Sequence, residues 1–304
     1  MTSPFGNLAG RALTTGHGTE NDFVLVPDPD GALDVTAVEV AAVCDRHAGV
    51  GADGLIRVVR SRHLPEGAEV LAADPSAEWF MDYRNADGSV AEMCGNGVRV
   101  LVHYLRLSGL VELPAGGSVV VGTRGGPRRV GYDGAEYTVE MGRWAMPGGL
   151  AAVQAGYDVV AEVPGIEGVR GGLRVTLPNP HTVVALRDEV ELAGAVLTGL
   201  PTYDPAPPEG TNLELVVPLG EDGATGESVG TVRMRVLERG VGETRSCGTG
   251  TCAAALAVRA WAGPDAPDTW RVLVPGGEVT VRVVGDTVTL TGPAVLTAEV
   301  TLLG

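Results

Sequence analysis

The amino-acid sequence predicts a mixed α/β (α+β) protein of two pseudo-symmetric domains, each a curled, mostly antiparallel β-sheet or barrel around one central helix. Three observations predict it. The stretch Met93-Cys94-Gly95-Asn96-Gly97 has a second copy, Ser246-Cys247-Gly248-Thr249-Gly250, 153 positions later (94 to 247), and the same offset sets Asn85 against Glu238, each nine residues before its cysteine. Each Cys-Gly-x-Gly turn feeds an apolar segment, Val98 to Leu107 and Ala253 to Ala262; a helix that is apolar nearly all round is buried. Strand-like segments flank both, as an old duplication would leave them.

Taken in order, Asp22 to Pro27 is a short apolar run that reads as a strand, and Thr36 to Asp45 reads as a helix. A Gly-rich turn at Gly49 to Gly54 leads to a strand from Leu55 to Val59, and Glu78 to Tyr83 is a strand running into Asn85-Ala86-Asp87-Gly88, a turn with Asp-Gly chemistry. The first central helix ends at Gly109, a left-handed cap, and the second at Gly263. Further strands are Ser118 to Gly122, Arg128 to Tyr132 and Glu136 to Met141 in the first half. The second half has Leu173 to Leu177, His181 to Leu186, Asn212 to Pro218, Gly230 to Leu237, Trp270 to Val274, Val279 to Val284 and Thr287 to Leu290. Val232-Arg233-Met234-Arg235-Val236 shows the half-buried alternation. Pro201 to Gly210, with four prolines, reads as a loop.

With 304 residues the chain has ample length for a core, and the duplication favours two domains over one. The net charge of −16 and the lack of a basic run interleaved with aromatics argue against nucleic acid and anionic membrane as partners. No charged-then-apolar leader and no bilayer-length apolar run are present, so the chain reads as soluble, unexported and cytoplasmic. Four cysteines are no disulfide framework, and a reducing compartment suits working thiols.

The repeated motif carries the chemistry. A cysteine ahead of a helix sits at the positive end of the helix dipole, among backbone N–H groups that lack intrahelical partners, and is expected to ionise more easily than an ordinary thiol. The same N–H groups can hold a carboxylate, which glycines allow to come close. Two such sites suggest a carboxylate gripped by two helix ends with a sulfur on either side. That arrangement suits inversion at an acidic carbon, where a base removes a proton from one face and an acid delivers one to the other. Many enzymes that do this to amino acids use pyridoxal phosphate bound through a lysine. This chain has no lysine; all 22 basic residues are arginine, so no lysine-bound pyridoxal cofactor is expected, nor any other cofactor.

The runs Arg84 to Ser89 through Met93 to Gly97, and Glu238 to Gly250, resemble the diaminopimelate epimerase family. Asn21-Asp22-Phe23, Asp45-Arg46-His47 with Gly49 to Asp53, and Asn179-Pro180-His181 agree with it in order, so the resemblance spans nearly the whole chain. It implies a diaminopimelate epimerase-like fold and cofactor-independent interconversion of LL- and meso-2,6-diaminopimelate in lysine and peptidoglycan precursor biosynthesis, by a cytoplasmic homodimer. It also implies that Pro293 to Gly304 return to the first domain. The first domain is then residues 1–140 with 293–304, carrying Cys94, and the second is 141–292, carrying Cys247, with the active site in the cleft between them.

Cys94 and Cys247 are the candidate catalytic pair; an unpaired cysteine is otherwise a core residue, the reading given to Cys44 and Cys252. A zinc site from all four lacks the paired spacing such sites use. The resemblance places His181 and Glu238 near the sulfurs as proton-handling residues. Gly95, Asn96, Gly248 and Thr249 supply backbone donors to the reacting carboxylate. Asn21, Asn85, Asn179, Asn212, Glu238 and Arg239 complete the substrate site; the asparagines are otherwise turn residues, and Arg239 a surface ion pair or a bidentate carboxylate grip. Two positions depart from the family pattern: Glu20, where a glycine often precedes Asn-Asp-Phe, and Gly54, where some members have glutamine. No metal is expected. A proline or hydroxyproline racemase of the same fold is the alternative enzyme, and a noncatalytic ligand-binding relative the alternative outside catalysis.

Overall fold

The computed structural model of the chain describes residues 3–223 and 228–303. Residues 1 and 2, and Gly304 at the end of the stretch expected to return to the first domain, lie outside the described residues. The chain divides into two compact units, Met1–Val139 with Gly292–Gly304, and Glu140–Thr291.

In the first unit, β1 (Ala12–Gly18) pairs antiparallel with β2 (Asn21–Pro27) across the two-residue turn Thr19-Glu20. Helix α1 (Ala37–Cys44) leads to β3 (Gly54–Arg60), parallel to β2. Next come α2 (Pro65–Ala73) and β4 (Trp79–Asn85), antiparallel to β3. Helix α3 (Gly95–Leu107) follows, then β5 (Ser118–Gly122), parallel to β4, and the antiparallel strands β6 (Arg128–Tyr132) and β7 (Tyr137–Arg143). The last strand of the chain, β18 (Val295–Thr301), pairs antiparallel with β1. The sheet order is therefore β18-β1-β2-β3-β4-β5-β6-β7.

The second unit repeats the plan. After α4 (Gly149–Ala155), β8 (Val159–Glu162), β9 (Val169–Leu177) and β10 (Asn179–Ala185) pair antiparallel in turn. Helix α5 (Glu189–Gly194) and the short β11 (Thr202–Asp204) precede β12 (Asn212–Asp222), which is parallel to β10. Strand β13 (Val229–Glu238) is antiparallel to β12 and carries β14 (Gly242–Thr244) at its end. Helix α6 (Gly248–Ala262) then leads to β15 (Thr269–Val274), parallel to β13, and to the antiparallel β16 (Gly277–Val284) and β17 (Thr287–Gly292). The order β8-β9-β10-β12-β13-β15-β16-β17 has the same succession of parallel and antiparallel pairs as the first sheet. In this match β18 holds the place of β8, so the chain's last strand supplies the first strand of the first sheet.

Local chemistry explains the elements. Thr36 and Glu39 close α1 as a capping box, each side chain bonding the other's backbone N–H. Helix α3 packs on β1 to β4, β6 and β18, and α6 on β9, β10, β12, β13, β15 and β16. Every residue of α6 from Gly248 to Val258 is buried. Its Ala253, Ala254, Ala255 and Ala257 favour helix without a side-chain entropy cost. The opposite face of each sheet is covered too. Val24, Val26 and Leu55 pack with Val40 and Val43 of α1, and Leu213, Leu215 and Val217 pack with Leu192 of α5. Each such buried side chain is worth about 1.5–3 kcal/mol.

Several expectations shift. No turn separates cysteine from helix: Gly95 and Gly248 are the first helical residues and the cysteines are the N-caps. The stretch Pro201 to Gly210 is not wholly a loop, because β11 pairs with β8. Strand β12 runs beyond Pro218, where the register slips before Gly220. Helix α2 is not among the elements expected; at its Gly67 a side chain would meet the Ser61 carbonyl oxygen at 1.8 Å, so close packing requires the glycine.

Candidate functional site

Cys94 has extended backbone (φ −137°, ψ 118°), and its sulfur accepts the Gly97 N–H at 3.4 Å. Asn21, at the start of β2, lies beside it. Its Nδ2 donates to Asp53 Oδ2 at 2.8 Å, which turns its Oδ1 toward the Cys94 sulfur (3.6 Å) and Asn96 Nδ2 (3.2 Å). Asp53 is held in turn by the Asp22 N–H and by Arg46, whose guanidinium also grips Asp22 with both Nη atoms (2.8 and 3.0 Å). Burial pushes the Asp53 carboxyl up, against the Asn21 amide that pulls it down. Behind Asn96 lies Arg99, fully buried, donating to Asn96 Oδ1 at 3.0 Å and to the Pro293 carbonyl at 3.2 Å. The returning C-terminal segment is thereby tied to the first turn of α3.

Cys247 repeats the cap geometry (φ −123°, ψ 117°) in a different environment. Asn179 starts β10 as Asn21 starts β2, and its Nδ2 donates to Thr249 Oγ1 at 3.2 Å; that hydroxyl lies 3.6 Å from the Cys247 sulfur. His181 Nε2 is 3.1 Å from Asn179 Oδ1, and its Nδ1 is 2.7 Å from Glu214 Oε1. Asn212, paired with His181 across β10 and β12, accepts the Arg239 N–H at 2.9 Å through Oδ1. The Glu238 carboxylate accepts from the Thr244 hydroxyl.

The expectation that both thiols ionise easily fails for Cys247. Burial pushes its thiol well up, the Glu238 and Glu214 carboxylates add to the rise, and Thr249 with the Gly250 N–H only partly offsets it. The helix end cannot outweigh desolvation plus two negative charges. Cys44, in the core, is pushed up to about 12, chiefly by burial. Cys252 is fully buried on α6.

Asn21 and Asn96 stand at Cys94; Asn179, Thr249 and His181 form one linked set at Cys247, with Asn212 and Glu238 beside it. Asn85 is the last residue of β4, paired with Gly54 of β3 rather than lying in the turn expected, and its Nδ2 donates to Ser89 Oγ at 3.0 Å. Arg239 is exposed, with Nη1 on the Glu209 carbonyl, and makes no ion pair among the described residues. Glu20 has φ 60° and Thr19 φ 50°, so the β1–β2 turn needs the left-handed backbone that a glycine adopts without strain. A side chain at Gly54 would lie 2.5 Å from the Tyr83 ring and 2.6 Å from the Arg84 carbonyl oxygen, so glycine suits the packing present here. Sequence reasoning missed Asp53, Arg46, Arg99 and Glu214 as parts of the site. The signal for Glu214 was a lone charge in the run Asn212 to Val217. No group of three or more His, Cys, Asp or Glu that could hold a metal occurs among the described residues, and none of their helices is long and apolar enough to cross a membrane.

Two sheets of one plan, each carrying a cysteine-capped helix, define the class of fold. The chain matches a phenazine biosynthesis protein of the PhzF family from Bacillus anthracis with a TM-score of 0.64 at 15% identity, covering 95% of this chain and 97% of that one. It matches a hydroxyproline epimerase from Agrobacterium vitis with a TM-score of 0.57 at 15% identity, covering 95% and 91%. These likenesses place it in the epimerase-like fold of two pseudo-symmetric halves. The family model for diaminopimelate epimerase matches residues 13–146 and 174–297. Diaminopimelate epimerase of Rhodococcus jostii is 47% identical over 302 residues, 95% of this chain and 96% of that one, and that of Streptomyces coelicolor is 47% identical over 298 residues, 95% and 94%. The chain belongs to the diaminopimelate epimerase family.

Proposed function

We propose that this chain is a cofactor-independent epimerase that interconverts LL-2,6-diaminopimelate and meso-2,6-diaminopimelate, in lysine and peptidoglycan precursor biosynthesis. The observation that carries the reading is the repeated cap: in each unit a cysteine sulfur stands at the N-terminus of a buried helix, in a family whose relatives bear that name. In this reading the first domain, residues 1–140 with 293–304, supplies Cys94 and the second, residues 141–292, supplies Cys247, and the two sulfurs serve one substrate carbon. One sulfur, as thiolate, takes the α-proton from one face; the C–H electron pair moves into the carboxylate, and the other sulfur, as thiol, gives its proton to the opposite face. The first sulfur ends as thiol and the second as thiolate, ready for the reverse reaction.

The N–H groups of Gly95, Asn96, Gly248 and Thr249 hold the carboxylate as charge develops on it. Asn85, Asn179, Asn212 and Arg239 read the distal aminocarboxylate, and the free guanidinium edge of Arg239 suits that task. Asn21 contacts the substrate beside Cys94, while His181 and Glu238 handle protons near Cys247. The lack of any lysine supports chemistry without pyridoxal phosphate. The enzyme acts in the cytoplasm as a homodimer.

Incubation with LL-diaminopimelate in heavy water, followed by proton NMR, tests the reading. Deuterium enters the α-carbon of diaminopimelate. Exchange into proline or hydroxyproline instead, each incubated in parallel, points to the racemase, exchange into none of them to a noncatalytic relative, and either result overturns the proposal.

A further inference from the structure

Glu214 has no part in the function proposed above, yet it is fully buried beneath the first turn of α6. Leu213, Leu215 and Val217 of β12 pack toward α5; the intervening Glu214 faces α6. A side chain at Gly250 would meet Glu214 Oε1 at 2.6 Å and the Cys247 sulfur at 3.4 Å, so the carboxylate and the sulfur flank one glycine. The first unit shows the same place without the charge: there a side chain at Gly97 would meet Ile56 Cδ1 at 3.3 Å, and Phe23 stands where His181 does.

A buried carboxylate costs several kcal/mol unless it is paired. Glu214 Oε2 is buried with no hydrogen-bond partner among the described residues, so its pairing rests on Oε1 and His181 Nδ1. A ring nitrogen facing a carboxylate carries the proton. His181 Nε2 then faces Asn179 Oδ1, an acceptor, and in this orientation of the amide donates as well. Asn179 Nδ2 donates to Thr249 Oγ1, which leaves the hydroxyl hydrogen for the Cys247 sulfur as acceptor.

We propose that Glu214 is a positioning residue which, through His181, sets the direction of this hydrogen-bond chain and so holds the thiolate form of Cys247 together with an imidazolium at His181. The reversed chain has the Asn179 amide turned over, Nε2 accepting, Thr249 donating to Asn179 and the sulfur donating as S–H. Passing from the reversed to the forward chain moves one proton from sulfur to imidazole and leaves the total charge unchanged. The imidazolium cancels the Glu214 charge that otherwise opposes ionisation of the sulfur. The other groups facing this cluster are Glu238 from β13 and Tyr203 from β11, whose phenol is pushed up by burial and by Glu214; the Arg239 guanidinium points away, to Glu209. The proposal rests on the reading of Cys247 as a reacting sulfur.

The test is an NMR titration of substrate-free protein carrying 13C at cysteine Cβ and 15N in histidine. In Glu214→Gln the Cys247 midpoint moves up by about one pH unit or more, because the imidazolium loses its partner. An unchanged midpoint overturns the proposal. So does a lower one, the result expected if Glu214 acts only as a negative charge beside the sulfur. Should the variant fail to fold, the wild-type histidine spectrum decides: protons on both His181 ring nitrogens while the Cys247 sulfur is ionised support the proposal, and a ring carrying only the Nδ1 proton in that state overturns it. Neither arm reads turnover, so failure of the epimerase reading in the heavy-water assay leaves these outcomes separate.

Discussion

The two copies of the site share a backbone and differ in what stands behind it. Asn21 and Asn179 begin equivalent strands, and Cys94 and Cys247 cap equivalent helices with nearly the same dihedral angles. In the first copy the asparagine touches the sulfur itself and is braced by an exposed ion cluster of Asp53, Asp22 and Arg46. In the second it reaches the sulfur through Thr249 and is braced by the buried pair His181 and Glu214. Cys94 is half-buried and Cys247 buried. A duplicated scaffold thus presents two thiols in unlike electrostatic settings. The difference teaches that a repeated backbone can carry two thiols whose electrostatic surroundings are set by the side chains behind each cap.

The comparison breaks most visibly if one sulfur is dispensable. Cys94→Ala and Cys247→Ala each lower kcat for epimerisation by about 10³-fold or more, with far-UV circular dichroism unchanged. Near-normal turnover in either variant ends the two-base account.

Importing the first copy's side chains into the second sharpens it. His181→Phe alone strands the Glu214 carboxylate and costs about 3 kcal/mol in urea unfolding. Adding Glu214→Ile restores most of that stability, since the apolar residues Phe23 and Ile56 hold the equivalent register positions in the first unit, but turnover stays low. Additive losses of stability would show that the two residues are not a unit.

The paired glycines give a smaller contrast. Gly97→Ala is near neutral in stability, because Ile56 Cδ1 at 3.3 Å can give way and alanine favours helix by about 1 kcal/mol. Gly250→Ala costs about 2 kcal/mol, because its methyl group would press on Glu214 Oε1 at 2.6 Å. Equal effects in chemical denaturation would contradict the placement of Glu214.

The smallest effect belongs to the β1–β2 turn. Glu20→Gly removes a side chain from backbone at φ 60° and stabilises the first unit by about 1 kcal/mol, seen as a thermal midpoint a few degrees higher. A lower midpoint would mean that the Glu20 side chain contributes more than its backbone strain costs.

Much of this was legible in the sequence because repetition and periodicity are local signals. The Cys-Gly-x-Gly pair, the apolar helices behind it and strands such as Val229–Glu238 follow from spacing alone. Strand β1 was not legible: Thr14, Thr15 and Gly16 give little alternation, and its pairing with β18 joins the two ends of the chain. The surroundings of Cys247 were not legible because the helix end is visible in sequence, whereas burial and the nearness of Glu238 and Glu214 are properties of the fold. Glu214 itself is one charge in an apolar run, with nothing local to say which face it takes. Only its pairing with His181, 33 residues away, shows that it points inward.

The most direct test of two sulfurs serving opposite faces is an early-time isotope partition. LL-diaminopimelate is incubated with enzyme in heavy water and stopped after a few per cent conversion, and deuterium at the inverted carbon is measured separately in meso product and recovered LL substrate. Two bases predict deuterium in the product and almost none in the recovered substrate, because the proton delivered comes from a different sulfur than the one that accepts. Deuterium in both, or a product that retains the substrate's own proton, would contradict the account.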